Sequence, residues 1–275
     1  MKFTDGFWMT REGLTVRDAH RVWDYEIAEG RVTLFAPYLD VQNRGQTLAG
    51  PVITVTVDSP ASDVIRVRAE HFAGARDPGP RFVEPSARSV ATVAALDGRI
   101  EVRSGETRLA IGLGPAWSFE FFHGDRPLAN SRAKNLGYVT DGEGGAWMKE
   151  QLSASVGETF YGLGERFTPF AKNGQVVDCR NSDGGTSSEQ AYKNVPFYLS
   201  SRGYGVFVDE PGDVAFEVGS ENVGRVQFSL PGERLTYCVI GGSDPKDALQ
   251  RYVRLTGLLD RAQTLSGRFS QLTLD

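Results

Sequence analysis

The sequence predicts an all-β fold, mainly antiparallel, with one C-terminal helix. Short segments of alternating apolar and polar residues recur along the 275-residue chain, and 32 glycines and 13 prolines are spread between them. A period of two places one set of side chains on a buried face and the other in solvent, which is typical of antiparallel sheets. β-Sandwiches often reach this length as one domain, so a single large domain is as plausible as two small ones.

The early strands show this alternation most clearly. In PVITVTVDSP (51–60), apolar β-branched residues alternate with threonines between two prolines, and VIRVRA (64–69) alternates apolar residues with arginines. Pro at the ends and β-branched residues within are both strand signals. We therefore predict two half-buried strands, with these residues on their buried faces: Ile53, Val55, Val57, Ile65, Val67 and Ala69.

The segment from Ala91 to Leu113 predicts a meander. ATVAAL, RIEVR and ETRLAIGL are separated by turns at Asp97-Gly98 and Ser104-Gly105. Asp-Gly favours a tight hairpin because glycine accepts a positive φ. WSFEFFHGDRPL continues the pattern, with its large aromatic residues on one face. Four further short strands are predicted in GYGVFVDEPG, DVAFEVG, RVQFSLPGE and RLTYCVIGG.

One segment near the C-terminus predicts a helix. Asp244 can cap its start, Pro245 suits the first helical position, and Gly257 marks its end. Between them, apolar residues follow helical spacing, so we expect them to form its buried face: Ala248, Leu249, Tyr252, Val253 and Leu255.

Composition and charge exclude several classes of function. A net charge of -5 provides no basic surface for phosphates, so we expect no nucleic-acid partner. No apolar run approaches the ~20 residues that a membrane span needs, and the N-terminus lacks the apolar segment of a signal peptide. Cys179 and Cys238 are too few for a disulfide framework and are expected to be reduced. A cytoplasmic location without membrane contact is the resulting expectation.

No familiar catalytic or cofactor motif is present. GLGERF (162–167) resembles the start of a dinucleotide fingerprint, but its third glycine is missing and no βαβ unit surrounds it. His20, His71 and His123 lack metal-ligand spacing. The sequence therefore predicts neither a cofactor nor a metal site.

The segment NSDGGTSSEQAYKN (181–194) is the most polar part of the chain. Asp183 precedes two glycines, so its carboxylate lies on backbone that can approach a ligand closely, or it forms a turn within its own loop. Aromatic residues concentrate around this segment, as in sugar sites, although a sandwich core has the same composition. They are Phe160, Tyr161, Phe167, Phe170, Tyr192, Phe197 and Tyr198.

Long stretches of the chain resemble a known family. FYGLGERFTPFAKNGQ and DGGTSSEQAYKNVPFYLSSRGYGVFVDEPG closely resemble the N-terminal region of bacterial α-xylosidases in glycoside hydrolase family 31. MKFTDGFWMTREGLTV and GPVITVTVDSPASDVIRVRAEHF are similar to the start of the same enzymes. The resemblance extends from Met1 to about Gly257. It implies a galactose mutarotase-like β-sandwich domain at 1–257.

The resemblance also implies that catalysis lies outside this domain. In the family, two aspartates on a following (β/α)8 barrel perform retaining hydrolysis. Residues 258–275 are unlike the family and far shorter than the ~250 residues of a barrel. We therefore expect a truncated, split or frameshifted tail and a chain that is inactive alone.

A substrate-binding role is implied for the polar segment. In the family, a long loop of this domain extends over the barrel mouth, and Asp183 matches its sugar-facing aspartate, with Gly184 and Thr186 beside it. The expected partners are the barrel, an α-xyloside or α-glucoside, and a second copy of the chain. Two other hypotheses stay open: a stand-alone carbohydrate-binding or regulatory module, and an aldose epimerase that would need a histidine.

Overall fold

In the computed structural model, the chain forms three antiparallel sheets around a common core. The structure describes residues 1–5, 9–50, 52–74, 79, 82–83, 88–180 and 193–257. Two helices lie within these ranges, α1 (Arg44–Ala49) and α2 (Pro245–Thr256). The strands are β1 (Leu14–Asp18), β2 (Asp24–Ala28), β3 (Arg31–Pro37), β4 (Val52–Asp58), β5 (Val64–Glu70), β6 (Thr92–Leu96), β7 (Arg99–Ser104), β8 (Thr107–Gly112), β9 (Ser118–His123), β10 (Arg126–Arg132), β11 (Gly137–Asp141), β12 (Ala146–Ser153), β13 (Phe160–Gly162), β14 (Val176–Cys179), β15 (Phe197–Ser200), β16 (Tyr204–Val208), β17 (Val214–Val218), β18 (Arg225–Pro231) and β19 (Arg234–Gly241).

The three sheets have six, five and eight strands. Their orders are β1-β11-β12-β18-β17-β14, β10-β9-β8-β7-β6 and β13-β15-β16-β19-β5-β4-β3-β2. Every pairing between these strands is antiparallel. The predicted all-β, mainly antiparallel class is confirmed.

The two early strands have the predicted faces. Ile53, Val55 and Val57 of β4 are buried, as are the apolar residues of β5. Arg66, predicted on the solvent face of β5, is also buried, because its Nε and Nη2 each donate to Asp58 at 2.7 Å. A bidentate pair of this kind lets an arginine lie in a covered part of the sheet.

The predicted meander is present as β6 to β9. The Asp97-Gly98 turn separates β6 from β7, and Gly98 has a φ of 69°. Ser104, predicted in the next turn, is instead the last residue of β7, and Gly105 and Glu106 form that turn. On β9 and just before it, the aromatic residues are buried as the alternation predicts. They are Trp117, Phe119 and Phe121.

Helix α2 begins and ends where the capping signals indicate. The Asp244 side chain accepts a hydrogen bond from Asp247 N at 2.8 Å, and Gly257 follows the last turn with a φ of 111°. Its buried face is narrower than predicted, because Leu249 and Val253 are 42% and 37% exposed. The short helix α1, capped by Asn43, carries no helical apolar pattern and was not predicted from the sequence.

Helix α2 is attached to the sheets by an ionic cluster. Arg251 forms an ion pair with Asp63, and its Nε donates to Asp247 at 3.0 Å. Asp63 Oδ1 also accepts from Glu106 N at 2.7 Å and Thr107 N at 3.2 Å. The helix is therefore held in one orientation. Neither helix in the described ranges is long and apolar enough to cross a membrane.

Candidate functional site at the base of a polar loop

The polar segment predicted to bind substrate falls at residues 181–192. Asp183, Gly184 and Thr186 lie outside the described residues. The structure does describe both flanks of the segment, β14 with Arg180 on one side and residues 193–196 on the other. The site is therefore built from the residues that hold these two flanks.

A glycine turn after β13 packs against the second flank. Gly162, Leu163 and Gly164 all have positive φ, of 105°, 64° and 90°. A Cβ on Gly164 would lie 2.1 Å from the carbonyl oxygen of Lys193, and one on Gly162 would lie 2.6 Å from that of Phe197. Both positions therefore require glycine, for conformation and for space. The two glycines of GLGERF therefore allow the turn after β13 to pack closely against the backbone of Lys193 and Phe197.

Arg166 connects this turn to both flanks. Its Nε donates to the carbonyl oxygen of Leu163 at 3.0 Å, and its Nη2 donates to Asn194 Oδ1 and to Cys179 Sγ. Asn194 in turn donates from Nδ2 to the carbonyl oxygen of Arg180 at 2.9 Å. We call these five residues the loop base. Because one guanidinium contacts both Cys179 and Asn194, the two described flanks of the segment are held together.

The electrostatics of the loop base favour a structural role. Burial raises the pKa of Cys179 to about 11, so the side chain is a neutral thiol and a poor nucleophile. Lys193 and Glu165 form an exposed ion pair at 3.2 Å. Exposed pairs of this kind contribute little to stability. The hydrogen bonds of Arg166 are therefore the main polar contribution here.

Three of the aromatic residues near the polar segment belong to the core. Phe160 and Tyr198 pack edge to face with ring centroids 5.5 Å apart, and both are buried. Phe197 stacks on Tyr252 of α2 at 4.0 Å. The hypothesis of an aromatic sugar platform is therefore wrong for these three residues. Tyr192 lies outside the described residues.

Phe167 and Phe170 are different, since both project into solvent. Their side chains are 65% and 79% exposed. Lys172, which is buried, holds the turn that carries them, because its Nζ donates to the carbonyl oxygen of Pro169 at 2.8 Å and to Thr168 Oγ1 at 3.1 Å. The turn thus presents two apolar rings in a defined place close to the loop base in sequence.

A family model described as the glycosyl hydrolase 31 N-terminal galactose mutarotase-like domain matches residues 54–217. The chain belongs to this family. The expectation from the sequence resemblance is confirmed. The glycoside hydrolase 31 domain also agrees with the antiparallel sheets described above.

Two curated relatives match nearly the whole chain. The α-xylosidase XylQ of Lactiplantibacillus pentosus is 43% identical over 260 residues, which cover 94% of this chain and 34% of the relative. An α-xylosidase of Emericella nidulans is 38% identical over 278 residues, which cover 94% of this chain and 36% of the relative. The glycoside hydrolase 31 domain thus spans about a third of the length of these relatives.

Solved structures with low sequence identity share the fold. A glucose complex of a glycoside hydrolase 31 dextranase from Flavobacterium johnsoniae superposes with a TM-score of 0.70 at 22% identity, covering 87% of this chain and 28% of that one. A xylose complex of a glycoside hydrolase 31 α-xylosidase from a soil metagenome superposes with a TM-score of 0.63 at 16% identity. The match covers 85% of this chain and 34% of that one. At these identities the similarity shows the fold of the domain.

Two of the three histidines of the glycoside hydrolase 31 domain contact neighbouring side chains of the sandwich. His71 stacks on Tyr138 at 3.8 Å, and His123 Nδ1 lies 3.0 Å from Thr107 Oγ1. Burial lowers the pKa of His123. Within the described ranges, no group of three or more His, Cys, Asp or Glu side chains could hold a metal ion.

Sequence reasoning missed the residues that form the loop base. Arg166 and Asn194 are separated by 28 positions, and no local pattern connects them. The signal that was available is the pair of glycines around Leu163. Alternating glycines outside a nucleotide-binding context indicate a close backbone contact, which is what the structure shows.

Proposed function

We propose that this chain is the non-catalytic N-terminal β-sandwich domain of an α-xylosidase-like glycoside hydrolase. In the whole enzyme it supports a catalytic (β/α)8 barrel and contributes residues 181–192 to the substrate site. The Asp183 carboxylate accepts hydrogen bonds from sugar hydroxyls, Gly184 permits close approach, and Thr186 provides a hydroxyl group. Alone, the chain does not hydrolyse glycosides.

The loop base is the observation that carries this proposal. Arg166 contacts both flanks of the polar segment, and Gly164 is tightly packed against Lys193. A loop that is only solvated needs no such fixed base. A loop that binds a ligand binds it more tightly when its flanks are fixed, because less conformational entropy is lost on binding.

The exposed rings of Phe167 and Phe170 support the same proposal. Two large apolar side chains on one short turn are unusual on a solvated surface, and such patches mark interaction sites. We assign them to the contact with the barrel. In this proposal the barrel contacts the turn that carries these two rings, close in sequence to the loop base.

The lengths and names of the relatives support the proposed enzyme class and a further domain in the whole enzyme. Both full-length relatives are named α-xylosidases, and the chain matches about a third of each. The remainder is long enough for a barrel of ~250 residues. We propose an α-xyloside as substrate, with an α-glucoside as the alternative. Both cysteines are free and buried, which agrees with a reducing cytoplasm.

A domain chimera tests the proposed function. Residues 1–257 replace the matching region of the L. pentosus α-xylosidase, and hydrolysis of an aryl α-xyloside is measured for the chimera and for the purified chain alone. We expect turnover by the chimera and none by the chain. Hydrolysis by the chain in proportion to its concentration would contradict the proposal, as would a folded chimera without activity.

A further inference from the structure

A cavity of about 510 Å³ lies on the outer face of the six-stranded sheet and is lined mainly by polar residues. On β12, Met148, Glu150 and Leu152 are buried on the side of the sandwich core, whereas Lys149 and Gln151 line the cavity. The cavity is therefore separate from the core and from the loop base, and none of the loop-base residues lines it.

Gly137 makes room for an ion pair across the strands. Gly137 lies opposite Asp18 on one side and Lys149 on the other. Asp18 Oδ1 and Lys149 Nζ are 2.7 Å apart. A Cβ on Gly137 would lie 2.4 Å from Asp18 Oδ1 and 3.1 Å from Lys149 Cε. The missing side chain is what lets the carboxylate and the ammonium meet over the sheet.

Lys149 is fixed by further contacts. Its Nζ also donates to the carbonyl oxygens of Lys134 at 2.7 Å and Asn135 at 3.3 Å, and the residue is 4% exposed. Asp18 Oδ1 lies at ion-pair distance from the ammonium but has no hydrogen-bond partner among the described residues, so it can accept from a ligand. The positive charge is neutralised by Asp18, so this part of the cavity has little preference for an anion.

A line of side-chain amides continues from this pair. Asn135 Nδ2 donates to Gln151 Oε1 at 3.0 Å, and Gln151 Nε2 donates to Gln227 Oε1 at 2.6 Å. Gln227 Nε2 donates to Glu221 Oε2 at 2.6 Å. Gln151 and Gln227 are directly opposite each other on β12 and β18. The hydrogen bonds orient every amide of the line in one direction.

The amide of Gln151 has capacity for a ligand. A carboxamide has two N–H donors and two oxygen lone pairs. Among the described residues, Gln151 uses one of each, with Gln227 and Asn135 as partners. One N–H donor on Nε2 and one lone pair on Oε1 remain available. Together they can bind two neighbouring hydroxyl groups of a sugar ring. Phe3 and Val16 add apolar surface to the same cavity.

We propose that this cavity, which we call the sheet cleft, binds a neutral monosaccharide through Gln151 and the Asp18–Lys149 pair. Its volume lies in the range of small-ligand sites, and hydrogen bonds between its polar groups orient them before a ligand binds. Because the lining contains both signs of charge, a neutral polyhydroxy ligand fits better than a charged one. The sheet cleft is independent of the polar loop and of any barrel.

The test is an NMR titration of the whole chain with D-xylose, D-glucose and D-glucuronate. We expect saturable shifts with a Kd on the order of millimolar for the neutral sugars, confined to amides of β1, β12 and β18 and of the other residues that line the sheet cleft. Shifts elsewhere, the absence of saturable shifts, or saturation by the charged uronate alone would each overturn the proposal. Because these results come from the unmodified chain, they do not depend on any variant folding.

Three variants sharpen the test. Gln151→Leu should weaken the binding of the neutral sugars at least tenfold, because it removes the N–H donor and the carbonyl lone pair that are available to a ligand. Gln175→Leu, in the loop before β14 and outside the sheet cleft, is the matched control and should bind like the unmodified chain. Asp183→Ala, in the polar segment, tests whether the measured binding belongs to that segment instead of the sheet cleft. If Gln151→Leu binds normally, or if Asp183→Ala abolishes binding, the site is not the sheet cleft.

Discussion

The loop base and the sheet cleft are both clusters of polar side chains that a sandwich normally keeps in solvent. At the loop base, the guanidinium of Arg166 donates to groups on two flanks of one loop and joins them. In the sheet cleft, polar groups on neighbouring strands bind each other around an open cavity, and the amide of Gln151 keeps one donor and one acceptor.

This difference suggests a way to distinguish two uses of polar residues. Hydrogen bonds that connect backbone segments distant in sequence fix the relative positions of those segments, so their loss should lower the free energy of unfolding. Hydrogen bonds among side chains beside a cavity can be replaced by water, so their loss should cost little stability and affect binding instead.

Gly164→Ala should cause the largest loss. The added Cβ would lie 2.1 Å from the carbonyl oxygen of Lys193, at a φ of 90°. We expect the free energy of unfolding to fall by about 4 kcal/mol, from strain and displaced backbone. Gly174→Ala is the control, since its φ is 80° but a Cβ there would meet nothing within 4 Å. Gly174→Ala should lower the free energy of unfolding, measured with urea, by only about 1 kcal/mol. Equal losses would contradict the close contact.

The carboxyl group of Glu150 should make stability depend on pH. It lies beneath the sheet cleft, on the core side of β12, and burial raises its pKa from 4.5 to about 7. Between these values the native state holds a proton that the unfolded chain has released. The free energy of unfolding should therefore fall by about 3 kcal/mol as pH rises from about 4.5 through 7.

Glu150→Gln should remove this pH dependence, because the amide does not ionise. Ser131 Oγ and Tyr237 OH, which donate to Glu150 at 2.8 and 3.2 Å, remain as partners for the amide. Glu143→Gln, at an exposed position, should leave the dependence intact. Urea unfolding between pH 5 and 8 measures both variants. If the free energy of unfolding of Glu150→Gln still falls with pH as in the unmodified chain, another group causes the pH dependence.

Arg166→Ala should loosen the loop base without unfolding the sandwich. The loss of its hydrogen bonds should cost about 2 kcal/mol. Hydrogen exchange should accelerate at the amides of Leu163 and Glu165, which donate to Phe197 and Lys193 across the flank. Arg180→Ala, whose side chain is 66% exposed, is the control and should cost less than about 0.5 kcal/mol. Unchanged exchange in Arg166→Ala would show that the guanidinium does not hold the flank.

Lys149→Met should have the smallest effect on stability. The apolar chain keeps the packing of the lysine, and Asp18, 23% exposed beside the cavity, can be solvated. We expect a change of about 1 kcal/mol in the free energy of unfolding and at least tenfold weaker binding of neutral sugars. Lys246→Met on the exposed surface of α2 should change neither quantity. A large loss of stability with normal binding would reverse the roles assigned to the two clusters.

Local sequence patterns predicted β4 to β9 and β16 to β19, where short apolar segments are bounded by turn residues. They did not predict β1 to β3 or β11 to β15, whose segments carry weaker patterns. They also predicted the capped start of α2, where Asp244 and Pro245 act on adjacent backbone. They did not predict contacts between distant positions. Arg66 was expected in solvent, yet it is buried with Asp58. In the same way, the Asp18–Lys149 pair depends on Gly137 lying between them in the sheet, which only the strand order reveals.

The proposed contribution of residues 181–192 to the substrate site is tested most directly by the effect of Asp183→Ala on the chimeric enzyme. The kcat/KM for an aryl α-xyloside is compared between the chimera, its Asp183→Ala variant and a Glu143→Ala control. If the polar loop contributes to the substrate site, Asp183→Ala should lower kcat/KM by about 10- to 100-fold, the loss of a charged hydrogen bond, while Glu143→Ala has no effect. An unchanged kcat/KM in a folded Asp183→Ala chimera would contradict the account.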